Sequence, residues 1–305
     1  MVFGICGYGN LGKAVEKELI KNNQKNNLFG IFSRRDHLSS PYKTKFYSYE
    51  HAHLYKDKID VMIMCGGSKS DLLWQSPKML ENFNIIDTFD THEMILNHKD
   101  NLEKISKQSG KTAIYSCGWD PGIFSLIRVL SANIFKSSPQ TFWGKGVSQG
   151  HSQALRNIPG IADAVQFTIP NKTLYNQVKK GPSIKLDPNQ KHERHCYISL
   201  SGERSFEEIK NDILNTSYYF KDQKVFIYEI SSEEVKRLKK KMLHKGSVFG
   251  GEKNTCLNFN VKMKNNPEFT AKIVLAYATC IKSLSPGVYS VLDIPLSSFK
   301  STNYL

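Results

Sequence analysis

Val2-Phe3-Gly4-Ile5-Cys6-Gly7-Tyr8-Gly9-Asn10-Leu11-Gly12-Lys13-Ala14-Val15 decides the fold. An apolar run enters a turn with glycine at positions 7, 9 and 12, and an amphipathic stretch leaves it. That order reads as strand, tight turn and helix. The glycines let the backbone bend, let a phosphate approach, and let the helix close on the strand. Unpaired amides and the dipole at the helix start favour an anion. The stretch is the expected opening of a dinucleotide-binding sheet.

The next strand-like run, Leu28 to Phe32, ends in Ser33-Arg34-Arg35, with Ser33 21 residues after Gly12. Sites that prefer NAD place an acid there for the ribose 2′-hydroxyl. Two guanidiniums and a hydroxyl suit a 2′-phosphate instead. A pair of solvated surface arginines is the plainer alternative. The reading is NADP.

Three more apolar runs end in small or polar residues. Asp60 to Cys65 enters Gly66-Gly67-Ser68, Asn84 to Asp87 enters Thr88-Phe89-Asp90, and Thr112 to Tyr115 enters Ser116-Cys117-Gly118-Trp119-Asp120. Short buried strands spaced by helices describe a doubly wound parallel sheet, the Rossmann arrangement, with ligands beyond the carboxyl ends of the strands. After Pro121-Gly122 the pattern changes. A helix is predicted over 123–135, and strands over 194–200, 224–228 and 256–262 alternate like those of a one-faced sheet. Helices are predicted near 206–215 and 232–241, and over 270–283, the last packing back on the first domain. The expected class is α/β: a Rossmann domain over 1–120, an α+β substrate-binding and dimerisation domain over 121–268, and a returning C-terminal segment over 269–305.

At 305 residues the chain has room for two cores, and 40% hydrophobic with 23% charged residues is an ordinary globular balance. No apolar run approaches the ~20 residues that span a bilayer. The first residues run straight into a strand without a leader pattern, so a cytoplasmic protein with no membrane partner is expected. Six scattered cysteines lack any Cys-x-x-Cys pair, against a metal site or disulfide scaffold; Cys6 and Cys65 read as buried thiols. The net charge of +14 raises nucleic acid as a partner. The lysines are spread, however, and the densest cluster, 236–241, reads as a solvated helix face, so none is expected. A positive field also draws an anionic cofactor or a dicarboxylate.

Gly7-Tyr8-Gly9-Asn10-Leu11-Gly12, Gly30-Ile31-Phe32-Ser33-Arg34-Arg35, Asp87-Thr88-Phe89-Asp90 and Gly118-Trp119-Asp120-Pro121-Gly122 together resemble the meso-diaminopimelate dehydrogenase family. So do the residues from Thr141 to Arg156, with their Trp-Gly and Ser-Gln-Gly-His-Ser elements, and Asn265-Asn266-Pro267-Glu268-Phe269-Thr270. The resemblance covers nearly the whole chain. It implies NADP-dependent oxidation of the D-centre of meso-2,6-diaminopimelate by a metal-free homodimer. It also implies that Cys65-Gly66-Gly67-Ser68 passes under the cofactor, with Asp87-Thr88-Phe89, Cys117-Gly118 and Pro121 on the nicotinamide side. Trp119 and Trp143 would wall the pocket, and Gln149 with Gly150 would take the D-end carboxylate. Thr168, Arg194, His244 and Asn266 would hold the distal L-end. Met242-Leu243-His244-Lys245-Gly246 departs from the family's Met-Pro-His-Gly-Gly, which bears on substrate affinity and breadth.

Hydride leaves a carbon only when an adjacent neutral amine pushes electrons into a forming iminium, so the substrate ammonium must be held and deprotonated. Asp90 and Asp120, each following a strand-like run, are the candidate catalytic residues. The base is Asp120 or a water that it orders. The bland readings are a turn former for Asp120 and a helix N-cap for Asp90. Two other functions stay open: a related reductase acting on dihydrodipicolinate, and a non-catalytic NADP-binding sensor.

Overall fold

Strand β1, Phe3–Cys6, has all four residues buried, as a parallel strand covered on both faces must. Helix α1, Asn10–Lys21, buries Gly12, Val15, Glu16 and Leu19, positions that share one helical face. Next come β2, Leu28–Ser33, β3, Phe46–Ser48, and β4, Val61–Met64. A π-type turn, Ser68–Leu72, leads into α2, Leu73–Leu80. The alternation continues through β5, Asn84–Asp87, α3, Ile95–Ser109, and β6, Thr112–Ile114, to α4, Ile123–Phe135. These strands and a last one at Gly287–Tyr289 form a seven-stranded sheet, ordered from that last strand through β6, β5, β4, β1 and β2 to β3. Every pairing in it is parallel. The chain reverses direction across the sheet between β1 and β4, and ligands bind at such switch points.

The computed structural model describes residues 1–181, 186–216, 220, 223–240, 244–252 and 254–299. Contacts divide them into two units, Met1–Leu126 with the described residues from Pro267 onward, and Ile127–Asn266.

The second unit carries β7, Gln140–Trp143, β8, Gly146–Ser148, α5, Gln149–Arg156, β9, Ile161–Pro170, and α6, Lys172–Lys180. It continues through β10, His192–Leu200, α7, Phe206–Thr216, β11, Lys224–Glu229, and α8, Ser232–Lys239, to β12, His244–Glu252, and β13, Thr255–Met263. One sheet has the order β11-β10-β9-β8 and the other β13-β12-β7. Helix α4 packs on β12 at Gly250, where an added Cβ would stand 1.4 Å from the Ser131 hydroxyl.

Helix α9 spans Asn266–Ala278, and β14 is the strand at Gly287–Tyr289. The helix expected over 270–283 therefore starts four residues earlier, because Pro267 sits in its first turn, where no intrahelical amide bond is lost. It also stops sooner, and Ile281–Ser283 forms a separate 3-10 turn. Ala271, Val274, Leu275 and Ala278 join Ile5, Val15, Ile31 and Ile63 in one core, so the C-terminal segment does return to the first sheet. Cys6 and Cys65 are buried free thiols, as expected.

Candidate active site

The glycine turn is built as its spacing predicts. Gly7 has φ +95° and donates its amide to Phe32 O at 2.9 Å. A Cβ on Gly12 would stand 2.2 Å from Gly7 O, so α1 closes on the turn only without a side chain there. A Cβ on Gly9 would meet nothing within 4 Å. That open space lies at the start of α1, whose first amides lack helical partners, and it fits a pyrophosphate.

Arg35 donates from Nη2 to Tyr8 O at 2.9 Å and from its amide to Ser33 Oγ at 3.0 Å. The end of β2 is thereby tied to the turn. Arg34 pairs with Asp71 at 2.5 Å. Glu16, the nearby buried acid, accepts from the Tyr8 and Ser40 hydroxyls, both at 2.5 Å. Two exposed but tethered guanidiniums suit a 2′-phosphate.

The β4 loop lies against the same turn, with Cys65 N donating to Cys6 O at 2.7 Å. A Cβ on Gly66 would come within 2.7 Å of Gln75 Oε1 and 2.8 Å of Asp71 Cβ. Gly67 donates its amide to Asp71 at 3.1 Å. Ser68 Oγ accepts the Asp90 amide at 3.0 Å, which brings the exposed Asp90 beside this loop.

Asp87 pins the next two loops. Its Oδ1 accepts the Phe89 and Ser116 amides at 3.1 and 2.9 Å, and its carbonyl accepts the Cys117 amide at 2.8 Å. Oδ2 lies 2.7 Å from His98 Nε2. Burial pushes the Asp87 carboxyl up, but His98 and the two amides outweigh it and hold the group below the ordinary carboxylate range. Asp87, Phe89 and Cys117, three of the expected cofactor contacts, are all 0% exposed, backbone included. Thr88 between them is half-buried.

The loop after β6 closes on itself: Gly118 donates to Pro121 O at 2.9 Å, and a Cβ on Gly122 would lie 1.8 Å from Gly118 O. Trp119 sets its ring edge-to-face on Phe124 at 5.1 Å. Between Trp119 and Pro121 the loop carries a half-buried Asp120.

In the second unit, β9 and β10 place Thr168 opposite Arg194. Arg194 Nη1 donates to Thr168 Oγ1 at 2.7 Å, while Nε has no partner. Burial lowers the Arg194 guanidinium to about 10, and among the described residues no carboxylate pairs with it. A largely buried cation without an acid is prepared for an incoming anion. Gly144 packs so closely that its Cβ would stand 2.1 Å from Thr168 O, and its amide donates to Lys245 O at 2.7 Å. The half-buried His244 thus starts a strand that pairs with β7 at Trp143. Gln149 and Gly150 are the exposed first residues of α5, behind the N-cap Ser148. Asn266 opens α9. Of the departing segment, Met242 and Leu243 lie outside the described residues.

Sequence pattern did not single out His192. It is 3% exposed, stacks on Trp143 at 5.1 Å, and accepts the Trp143 amide on Nε2 at 2.8 Å. The available signal was alternation, which puts 192 and 194 on one strand face. Burial, then Arg194 and Lys191, lower it from 6.5 to about 3. The unfolded chain therefore takes up a proton before the folded one as pH falls. The stability contributed by neutral His192 is intact above 6.5 and drains away toward 3. Urea unfolding at about pH 4.5 and 7.5 should differ by a few kcal/mol, and His192→Asn, which keeps an acceptor for Trp143, should shrink the difference.

Among the described residues no group of three His, Cys, Asp or Glu side chains can hold a metal ion, and no helix is long and apolar enough to cross a membrane.

Residues 118–265 match the family model for the diaminopimelic acid dehydrogenase C-terminal domain. The chain is similar to meso-diaminopimelate D-dehydrogenase of Ureibacillus thermosphaericus, 40% identical over 304 residues, covering 96% of this chain and 93% of that one. Its structure is similar to that of C. glutamicum DAP dehydrogenase in complex with DAP, with TM-score 0.92 and 33% identity over 99% of this chain and 96% of that one. An engineered D-amino acid dehydrogenase bound to NADP+ matches with TM-score 0.89 and 31% identity over 100% of this chain and 97% of that one.

Proposed function

The chain belongs to the meso-diaminopimelate dehydrogenase family, and from that premise we propose that it oxidatively deaminates the D-centre of meso-2,6-diaminopimelate with NADP. The products are L-2-amino-6-oxopimelate, which cyclises to tetrahydrodipicolinate, together with ammonia and NADPH. The likeness runs the length of the chain, which leaves dihydrodipicolinate reduction and non-catalytic NADP sensing with no observation in their favour.

Bound NADP supplies the acceptor for the hydrogen and electron pair of the D-carbon. Gly7, Gly9, Gly12 and the first amides of α1 cradle its pyrophosphate, and Ser33, Arg34 and Arg35 take its 2′-phosphate. Asp90 and Asp120 hold the substrate ammonium, and Asp120, or a water it orders, removes the proton that frees the nitrogen lone pair. Water then adds to the substrate iminium, and ammonia leaves. Trp119 and Trp143 exclude bulk solvent, and Gln149 with Gly150 orients the D-end carboxylate. Arg194, Thr168, His244 and Asn266 hold the L-end.

The observation that best supports a dicarboxylate substrate is Arg194, a half-buried guanidinium hydrogen-bonded to Thr168 and without a carboxylate partner among the described residues. A substrate without the second carboxylate leaves that cation unpaired and is disfavoured. The test is NADPH absorbance on mixing NADP with the meso, LL and DD isomers. Turnover of meso with none of LL is expected, and LL turnover or silence with meso overturns the reading.

We place the protein in the cytoplasm as a homodimer. Its buried free thiols fit a reducing compartment. Helix α4 leaves Val129, Leu130 and Ile134 exposed at 46%, 49% and 57%, on one face that a second copy would cover. Light scattering should return about twice the 34.7 kDa chain mass, and a monomer would refute the dimer.

A further inference from the structure

We infer that Trp74 and Asp71 are positioning residues that fix the reach of Arg34, and so set the preference for a 2′-phosphorylated nucleotide over an unphosphorylated one. The inference rests on the assignment of Arg34 to the 2′-phosphate.

Arg34 carries a long side chain that is 49% exposed. Left alone, such a side chain populates many rotamers and loses that freedom when it grips a phosphate. Here its guanidinium carbon lies 5.1 Å from the centre of the Trp74 indole, and Nη2 pairs with Asp71. The planar fork keeps further donors for an anion.

Both supports are themselves held. Asp71 Oδ2 accepts the Gly67 amide at 3.1 Å and the Ser70 hydroxyl at 3.0 Å. Trp74 Nε1 donates to Ser70 O at 3.0 Å, and its ring meets the buried Tyr49 edge-to-face at 5.5 Å. Residues 70, 71 and 74 reach one side of the chain because helical spacing of three and four brings them together. The β4 loop and the start of α2 thus hold an arginine that follows directly on β2. Arg35 is anchored separately, on Tyr8 O, so changes at Trp74 isolate Arg34.

Calorimetric titration with 2′,5′-ADP and 5′-AMP, which differ only in the 2′-phosphate, tests this. The unsubstituted protein should prefer 2′,5′-ADP. Trp74→Ala should reduce that preference about two- to fivefold, the factor corresponding to a ~0.5–1 kcal/mol cation–π contact. Trp74→Phe, which keeps an aromatic face, should restore most of it. Asp71→Asn keeps an acceptor for Gly67 and Ser70 but loses the ion pair, and should also lower the preference. An unchanged ratio in Trp74→Ala, a Phe variant as impaired as Ala, or a raised ratio in Asp71→Asn each overturns the inference. If the unsubstituted protein shows no preference, the 2′-phosphate assignment itself falls, a failure visible before any variant is made.

Discussion

Asp120→Asn should lower turnover of meso-diaminopimelate by about 10²- to 10⁴-fold, the range for loss of a positioned acid or base, while NADP binding changes little. Asparagine keeps the size and hydrogen-bonding reach of the side chain and removes the charge and the proton acceptor. Gly118 and Pro121 close the surrounding loop through a backbone hydrogen bond that this substitution leaves in place. The substrate ammonium would still dock, but nothing at Asp120 would take its proton or order a water to do so. Stopped-flow turnover together with a direct NADP titration separates the two readouts. Equal losses in both would assign Asp120 a folding role and remove it from the chemistry.

His98→Leu should destabilise the protein by about 3–5 kcal/mol, the usual result of stripping the partner from a buried charge. His98 and Asp87 are both 0% exposed and lie 2.7 Å apart. Leucine leaves the Asp87 carboxylate among apolar groups with only two amides to satisfy it. Asp87→Asn combined with His98→Leu removes the charge as well, so the double variant should unfold at a higher urea concentration than His98→Leu alone. A loss below about 1 kcal/mol in the single variant would mean that the pair is replaceable. The paired carboxylate stabilises the fold fully above its ordinary value of 3.8, and that contribution disappears as pH falls below it. Activity should suffer too, since Asp87 holds the loops that lead to Asp90 and Asp120. Ser116, held by that carboxylate, has a positive φ of 52° that a residue with a side chain rarely adopts.

Short-range pattern made the first sheet legible. Glycine spacing from Gly7 to Gly12, a run of apolar strands and polar strand tails are local properties, and Ser33-Arg34-Arg35 is read at a fixed remove from the turn. The same locality explains what stayed hidden in the second unit. Strand β12 contains Gly246, Gly250 and Gly251 and has weak intrinsic strand preference; it is a strand because β7 and β13 pair with it on both sides.

By itself, then, the sequence determined the strand, turn and helix that open the cofactor fold, the order of the loops around it, and the cations at the end of β2. Only the tertiary structure decided that Asp87 turns inward to His98, that His192 backs Trp143, and that Arg194 meets Thr168 across two strands. It also decided that Arg34 rests on Trp74. Asp87 and His98 are 11 residues apart and the other pairs are further apart still; all are set by strand register and packing, and periodicity within a short window carries no record of which partner a side chain will face.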